Sequence, residues 1–134
     1  MKREVFEKAV ELADYVKAIF VATADAEGKC HIAAAGKLEL MGTDSVGLTE
    51  WFCPGTIANL QSNKQLAVVV WDENSDKGYQ LIGRLERVDD MGILDGYAAE
   101  AEGEPPLPQV KRRLVIKVEK IIDFKPGPHS DVEE

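Results

Sequence analysis

Short apolar runs separated by very short polar turns dominate the first half of this chain, and they leave it little choice of fold. Ala18-Ile-Phe-Val-Ala-Thr23 ends at Asp25-Ala-Glu-Gly28. The pattern resumes over 30–41, stops at Gly42-Thr-Asp44, and begins again with Ser45-Val-Gly-Leu-Thr49. Parallel strands need a crossover of about a dozen residues or more, so strands joined by such turns pair antiparallel. Gly28 marks the tip of the first hairpin.

The second half continues the pattern. Leu66-Ala-Val-Val-Val-Trp71 is a continuous apolar run, expected to form a strand buried on both faces. Residues 79–88 alternate as a strand, with Gly83 at a bulge or close approach. Residues 113–124 form the last strand. Helices are expected over 3–17, where Val5, Phe6, Ala9, Val10, Leu12, Ala13 and Val16 make one apolar stripe, over 56–62, and over 89–101, where Asp89 can cap the start. Residues 103–108, Gly-Glu-Pro-Pro-Leu-Pro, read as a stiff connector. About six antiparallel strands with two or three flanking helices point to a mainly β (α+β) architecture. A closed or nearly closed barrel is the economical way to remove their edges. The expected organisation is a single domain over 1–125 and a frayed acidic tail over 126–134.

Charge and cysteine usage narrow the function classes. The net charge of −8 disfavours nucleic acid and anionic membrane surfaces as partners. The apolar runs are too short to span a bilayer, and the first residues show no secretory leader, so the cytoplasm is the expected compartment. Cys30 and Cys53 stand outside any metal-ligand spacing, so no metal site is expected and two free thiols are. No G-x-S-x-G element supports a hydrolase, and no side chain has a convincing acid–base role, so no catalytic residue is assigned.

The most informative segment is Thr49-Glu-Trp-Phe-Cys-Pro-Gly-Thr56-Ile-Ala-Asn59-Leu60, which reads as strand end, loop and short helix. A helix that starts just past a strand end offers unpaired N–H groups to an anion. Thr56 is the expected N-cap, and Gly55 lets a ligand come close to the backbone. No basic residue accompanies them; Lys37 and Arg84 are the nearest replacement cations by strand parity, while Glu50 opposes an anion.

With these motifs in order, the chain resembles the pyridoxamine 5′-phosphate oxidase-like proteins, which are FMN-binding split β-barrels. The likeness rests on the hairpin from Thr23 to His31 and Ile32, on Val46-Gly-Leu-Thr49-Glu50, on Ala58-Asn59-Leu60 followed by Asn63, and on Val70-Trp71 and Gln80-Leu-Ile-Gly83. It implies FMN as cofactor, a homodimer with the flavin in the groove between subunits, and a small-molecule substrate or electron donor. It also implies a cofactor site at Ala34, Ala35, Gly36, Lys37, Thr49, Glu50, Gly55, Thr56, Trp71 and Gln80. The Ala33–Lys37 strand would grip the ring through its backbone; an Ala/Gly strand packed under a helix explains the same residues. Pro54 and Gly55 stand where the family's enzymes usually carry Arg-Lys, which removes up to two charge-assisted contacts of about 1.5–3 kcal/mol each.

The implied function is an FMN-dependent oxidoreductase, though not pyridoxamine 5′-phosphate oxidation itself. A non-catalytic flavin or electron carrier and a haem- or deazaflavin-binding relative are the alternatives. His31 is expected as a surface or turn residue, Trp51-Phe52 as an interface anchor rather than a flavin cover, and Cys53 as inert.

Overall fold

The computed structural model describes residues 3–16, 18–51, 54–94, 109–126 and 132–134. The order of elements is α1 (Arg3–Tyr15), β1 (Ile19–Ala24), β2 (Cys30–Ala34), β3 (Lys37–Leu40), β4 (Ser45–Trp51), α2 (Pro54–Ser62), β5 (Gln65–Asp72), β6 (Lys77–Leu94) and β7 (Gln109–Asp123). The seven strands form one sheet in the order β2-β1-β5-β6-β7-β4-β3, and every pairing is antiparallel. The turns dictate this outcome. The β1–β2 hairpin turns at Asp25, whose carboxylate accepts from the N–H groups of Glu27 and Lys29, both at 2.9 Å, and Gly28 has φ of 87°.

The expected single strand over 30–41 is two strands. At Ala35-Gly36 the chain leaves one edge of the sheet and starts the opposite edge. Ala35 N–H donates to the Ile19 carbonyl and Gly36 N–H to the Thr49 carbonyl, each at 2.9 Å. Two residues span only about 7 Å, so the two edges must come together and the sheet must roll up. β2 and β3 do not pair with each other, so the barrel is split rather than closed.

The core fills the inside of this roll. Phe6, Ile19, Val21, Leu38, Leu48, Val68, Leu81, Leu114 and Ile121 are almost wholly buried. α1 contributes the expected stripe of Val5, Phe6, Ala9, Val10 and Ala13, laid against β3, β5 and β6. β5 is not buried evenly on both faces. Leu66, Val68 and Val70 point into the core, whereas Ala67, Val69 and Trp71 stay half-buried on the outside. An open sheet has no second layer outside β5, so its uninterrupted apolar sequence leaves an apolar outer face.

Two further expectations fail. Residues 89–94 continue β6 instead of starting a helix, because β7 offers partners as far as Leu94↔Gln109. Asp89 is no helix cap: it faces Arg113 across the ladder and accepts a 3.0 Å hydrogen bond from Nη2 of that residue. Pairing outweighs the helical spacing of Met91 and Leu94. The rest of the expected helix, Tyr97 and Ala98 included, and the 103–108 connector lie outside the described residues. The tail is not wholly frayed either. Asp123 N–H donates to Val132 O, and Glu134 N–H to Ile121 O, so residues 132–134 lie alongside the end of β7.

Gly83 sits at a register shift, as the sequence suggests. A Cβ there would collide with the Lys117 carbonyl oxygen, which is fixed in the ladder. Gly83→Ala is therefore expected to destabilise the fold by about 1–3 kcal/mol, measurable as a lower urea midpoint. Arg113, whose stem lies across Gly47, holds the Asp89 carboxyl below the usual carboxylate range by its hydrogen bond, with Arg87 assisting. A depressed carboxyl stabilises the fold above its unfolded pKa of about 3.9, and that contribution is lost as pH falls through the lower folded value. Asp89→Asn should flatten this part of the acid limb in urea midpoints taken between about pH 2 and 6.

Candidate functional site

Rolling the sheet leaves β2 and β3 as its two terminal strands, each with one backbone edge outside the ladder. The link Ala35-Gly36 closes one end of this split. β4 runs out at Trp51 beside this link, where Thr49 O accepts from Gly36 N–H, and α2 then packs on β1 and β2. Asn59 fixes that helix by donating from Nδ2 to Thr23 Oγ1 at 3.0 Å, while Leu60 is buried in the core.

The start of α2 differs from the sequence expectation. The helix begins at Pro54, which suits the first helical position because its missing N–H would be unpaired anyway. Thr56 is therefore inside the first turn instead of capping it, and it is completely buried. A phosphate meets neither its hydroxyl nor a Pro54 N–H. The reachable part of this turn is Gly55. A Cβ built on Gly55 would lie 2.9 Å from Nε2 of His31 and 3.3 Å from Cδ2 and Cε1, so the exposed imidazole rests on the bare face of the glycine. His31, expected as a surface or turn residue, is exposed and is also brought to the helix start. Its strand parity with Ala33 and Ala35 was readable, but its contact with a residue 24 positions away was not.

The remaining candidates fall into two groups. Ala34, Ala35, Gly36 and Lys37 run along the link between the edges. Lys37 is exposed and pairs with Thr49, whose carbonyl would lie 3.1 Å from a Cβ on Gly36. Glu50 pairs in register with Arg112; its side chain, that of Trp51, and Phe52 and Cys53 lie outside the described residues. The second group is on the outer face. Ala34, Phe20, Val69 and Gln80 are successive partners across β2, β1, β5 and β6 and so form one rung. Gln80 is three strands from Ala34, about 14 Å at the usual strand spacing. Trp71 lies on the same face, edge-on to Phe124 with ring centroids 6.2 Å apart. With Phe20, Phe124, Lys125 and Pro126 it lines an open groove of about 510 Å³. Arg84 does not reach the helix start; it pairs with Gln65, just past the other end of α2.

Among the described residues no group of three or more His, Cys, Asp or Glu could hold a metal ion, and no helix is long and apolar enough to cross a membrane. The backbone edges outside the ladder, the small residues Ala34 and Ala35 and the imidazole at the helix start instead suit a flat ligand carrying an anionic group. In this respect the residues present fit FMN: small side chains let a ring lie against backbone, and a donor stands at the helix start.

Comparison with known proteins agrees with the fold. The family model for pyridoxamine 5′-phosphate oxidase matches residues 5–125, so the chain belongs to that family. An FMN-binding protein from Syntrophomonas wolfei superposes with a TM-score of 0.70 at 23% identity, covering 94% of this chain and 90% of the other. HupZ of Group A Streptococcus gives 0.64 at 23% identity, covering 92% and 96%. HutZ, a haem storage protein from Vibrio cholerae, gives 0.52 at 15% identity, covering 93% and 95%. No curated protein matches the chain.

Asn59→Ala should loosen α2 and cost about 0.5–1.5 kcal/mol through the lost bond to Thr23. Hydrogen exchange should show faster opening of 57–62 with little change in β6 and β7.

Proposed function

We propose that this member of the pyridoxamine 5′-phosphate oxidase family binds FMN in the split between β2 and β3 and works as a flavoprotein oxidoreductase. The observation that carries the reading is the split itself: two strand edges outside the ladder, joined by Ala35-Gly36, with the start of α2 beside His31 of β2. Free N–H and C=O groups along an edge match the alternating acceptors and donors of a flavin ring. The small side chains of Ala34 and Ala35 leave room for it, and Lys37 adds a positive charge at the same edge. When bound, FMN supplies the electron transfer, and the protein sets orientation and access. The FMN-binding relative supports this reading; the haem storage relative supports haem as the second reading.

The site is completed by a second copy of the chain. The outer rungs Ala34–Phe20–Val69–Gln80 and Ile32–Ala22–Ala67–Ile82 carry no charged residue, although the chain has a net charge of −8. Ile32 is 69% exposed and Phe20 39%. An uncharged apolar face lets two acidic chains meet without like-charge repulsion. Pairing of this face would bring Gln80 and Trp71 of one copy toward the ligand of the other. The substrate or electron donor is a small molecule, and the compartment is the cytoplasm.

Purified protein titrated with FMN should acquire a bound flavin spectrum; a protein that takes up haem but no flavin, or neither, overturns the proposal. Ile32→Glu should shift the sedimentation coefficient from dimer to monomer. A monomeric parent would remove the dimer from the reading.

A further inference from the structure

We infer that the edge of β7 over Ile121, Ile122 and Asp123 is a docking seat for an acidic, extended peptide of a partner protein, and that the chain's own residues 132–134 fill it when that partner is absent. The seat is independent of the flavin reading above.

The seat exists because neighbouring strands differ in length. β7 runs to Asp123, but β4 begins only at Ser45, after the Gly42-Thr-Asp44 turn, and pairs no further than Lys117. Asp44 O still accepts from Val118 N–H at 2.8 Å; beyond it this side of β7 has outrun β4. Peptide groups along such an edge are a template for another extended chain. The structure holds one in place. Asp123 N–H donates to Val132 O and Glu134 N–H to Ile121 O, both at 2.9 Å, around the antiparallel pair Ile122↔Glu133.

This occupant is held loosely. Its pairing is one bridge long, and Val132 remains 47% exposed, so burial adds little. Short terminal pairings of this kind open locally while the rest of a sheet stays closed. A peptide of the same chemistry can therefore take the place of residues 132–134.

The surroundings accept acidic side chains although the whole chain carries a net charge of −8. Two adjoining cavities of about 330 and 250 Å³ flank Tyr79, share Lys8 and Lys77, and in the second case reach Asp123 and Lys125. These lysines offset Glu11, Asp76 and Asp123 in the same walls, so the repulsion exerted by the rest of the chain is cancelled locally. Among the described residues neither Lys77 nor Lys125 forms a salt bridge. Glu134 is only half-exposed. The Lys8 ammonium is held above its usual range chiefly by Glu4, 3.2 Å away, with Tyr79 and Glu134 adding to it.

The test is NMR on the isotope-labelled full chain, wild type and Glu134→Pro. The substitution removes the N–H that reaches Ile121 and should unseat residues 132–134. Solvent exchange of the Asp123 amide should then rise about tenfold, the size of one hydrogen bond. The peptide Ser-Asp-Val-Glu-Glu, the sequence of 130–134 blocked at both ends, should bind this variant, shift the Ile122 and Asp123 resonances and restore the protection. The wild type, whose own segment competes, should need about tenfold more peptide. Ser-Asp-Val-Lys-Lys should bind about tenfold more weakly than the acidic peptide. Glu134→Lys, which keeps the N–H and reverses the charge, should fall between wild type and Glu134→Pro. Unchanged resonances in α1 and β1 confirm that each variant is folded.

No response of Ile122 and Asp123 to the acidic peptide in folded Glu134→Pro overturns the seat. Equal affinity of wild type and variant does the same, because it places the peptide elsewhere. A lysine peptide that binds as well as the acidic one overturns the acidic partner. Unlabelled wild-type protein that restores protection as well as the peptide makes the tail of a second copy the occupant and overturns the partner protein.

Discussion

The two peptide hydrogen bonds at Ala35 and Gly36 hold the architecture together. One ties the end of β2 to β1, and the other ties the start of β3 to β4. A chain that changes sheet edges within two residues forces a seven-stranded antiparallel sheet to curl until its edges meet. The core, the split and the seat of α2 all follow. Curling puts Val21, Leu48, Val68 and Leu114 on the inside, and α1 lays its apolar stripe against β3, β5 and β6. The edges stop short of pairing, which leaves unsatisfied backbone groups around an opening.

The same constraint explains why Gly36 and Gly55 matter for different reasons. At Gly36 the neighbour is a carbonyl oxygen of β4, fixed by the ladder, so the position must stay small for the edges to meet. At Gly55 the neighbour is the movable ring of His31, so the glycine makes room for a side chain instead of for backbone. The first is a requirement of the fold. The second selects what stands at the helix start.

Much of the fold was legible because its signals are local. The amphipathic stripe of α1, the Asp25–Gly28 turn and the bulge at Gly83 each depend on neighbours in sequence or on strand alternation. The errors arose where a distant partner decides. Asp89 to Leu94 has helical spacing, but β7 offers a ladder, and Arg113 takes the Asp89 carboxylate. Residues 30–41 read as one strand because nothing local announces that Ala34 and Lys37 pair with different strands. In the site, the small residues along the link and the anion-inviting helix start were readable from composition and spacing. The burial of Thr56, the remoteness of Arg84 and the placement of His31 were not, because each depends on how α2 seats against the hairpin.

By itself, then, the sequence determined an antiparallel, mainly β chain with a glycine- and alanine-lined strand and a short helix following a strand end. Turn length and residue periodicity suffice for that. The tertiary structure alone decided that the sheet remains split, that the outer face of β2, β1, β5 and β6 is apolar and open, and that the imidazole of His31 rests on Gly55 at the start of α2. These depend on contacts between residues far apart in the chain, such as His31 with Gly55 and Asn59 with Thr23, which no local pattern encodes.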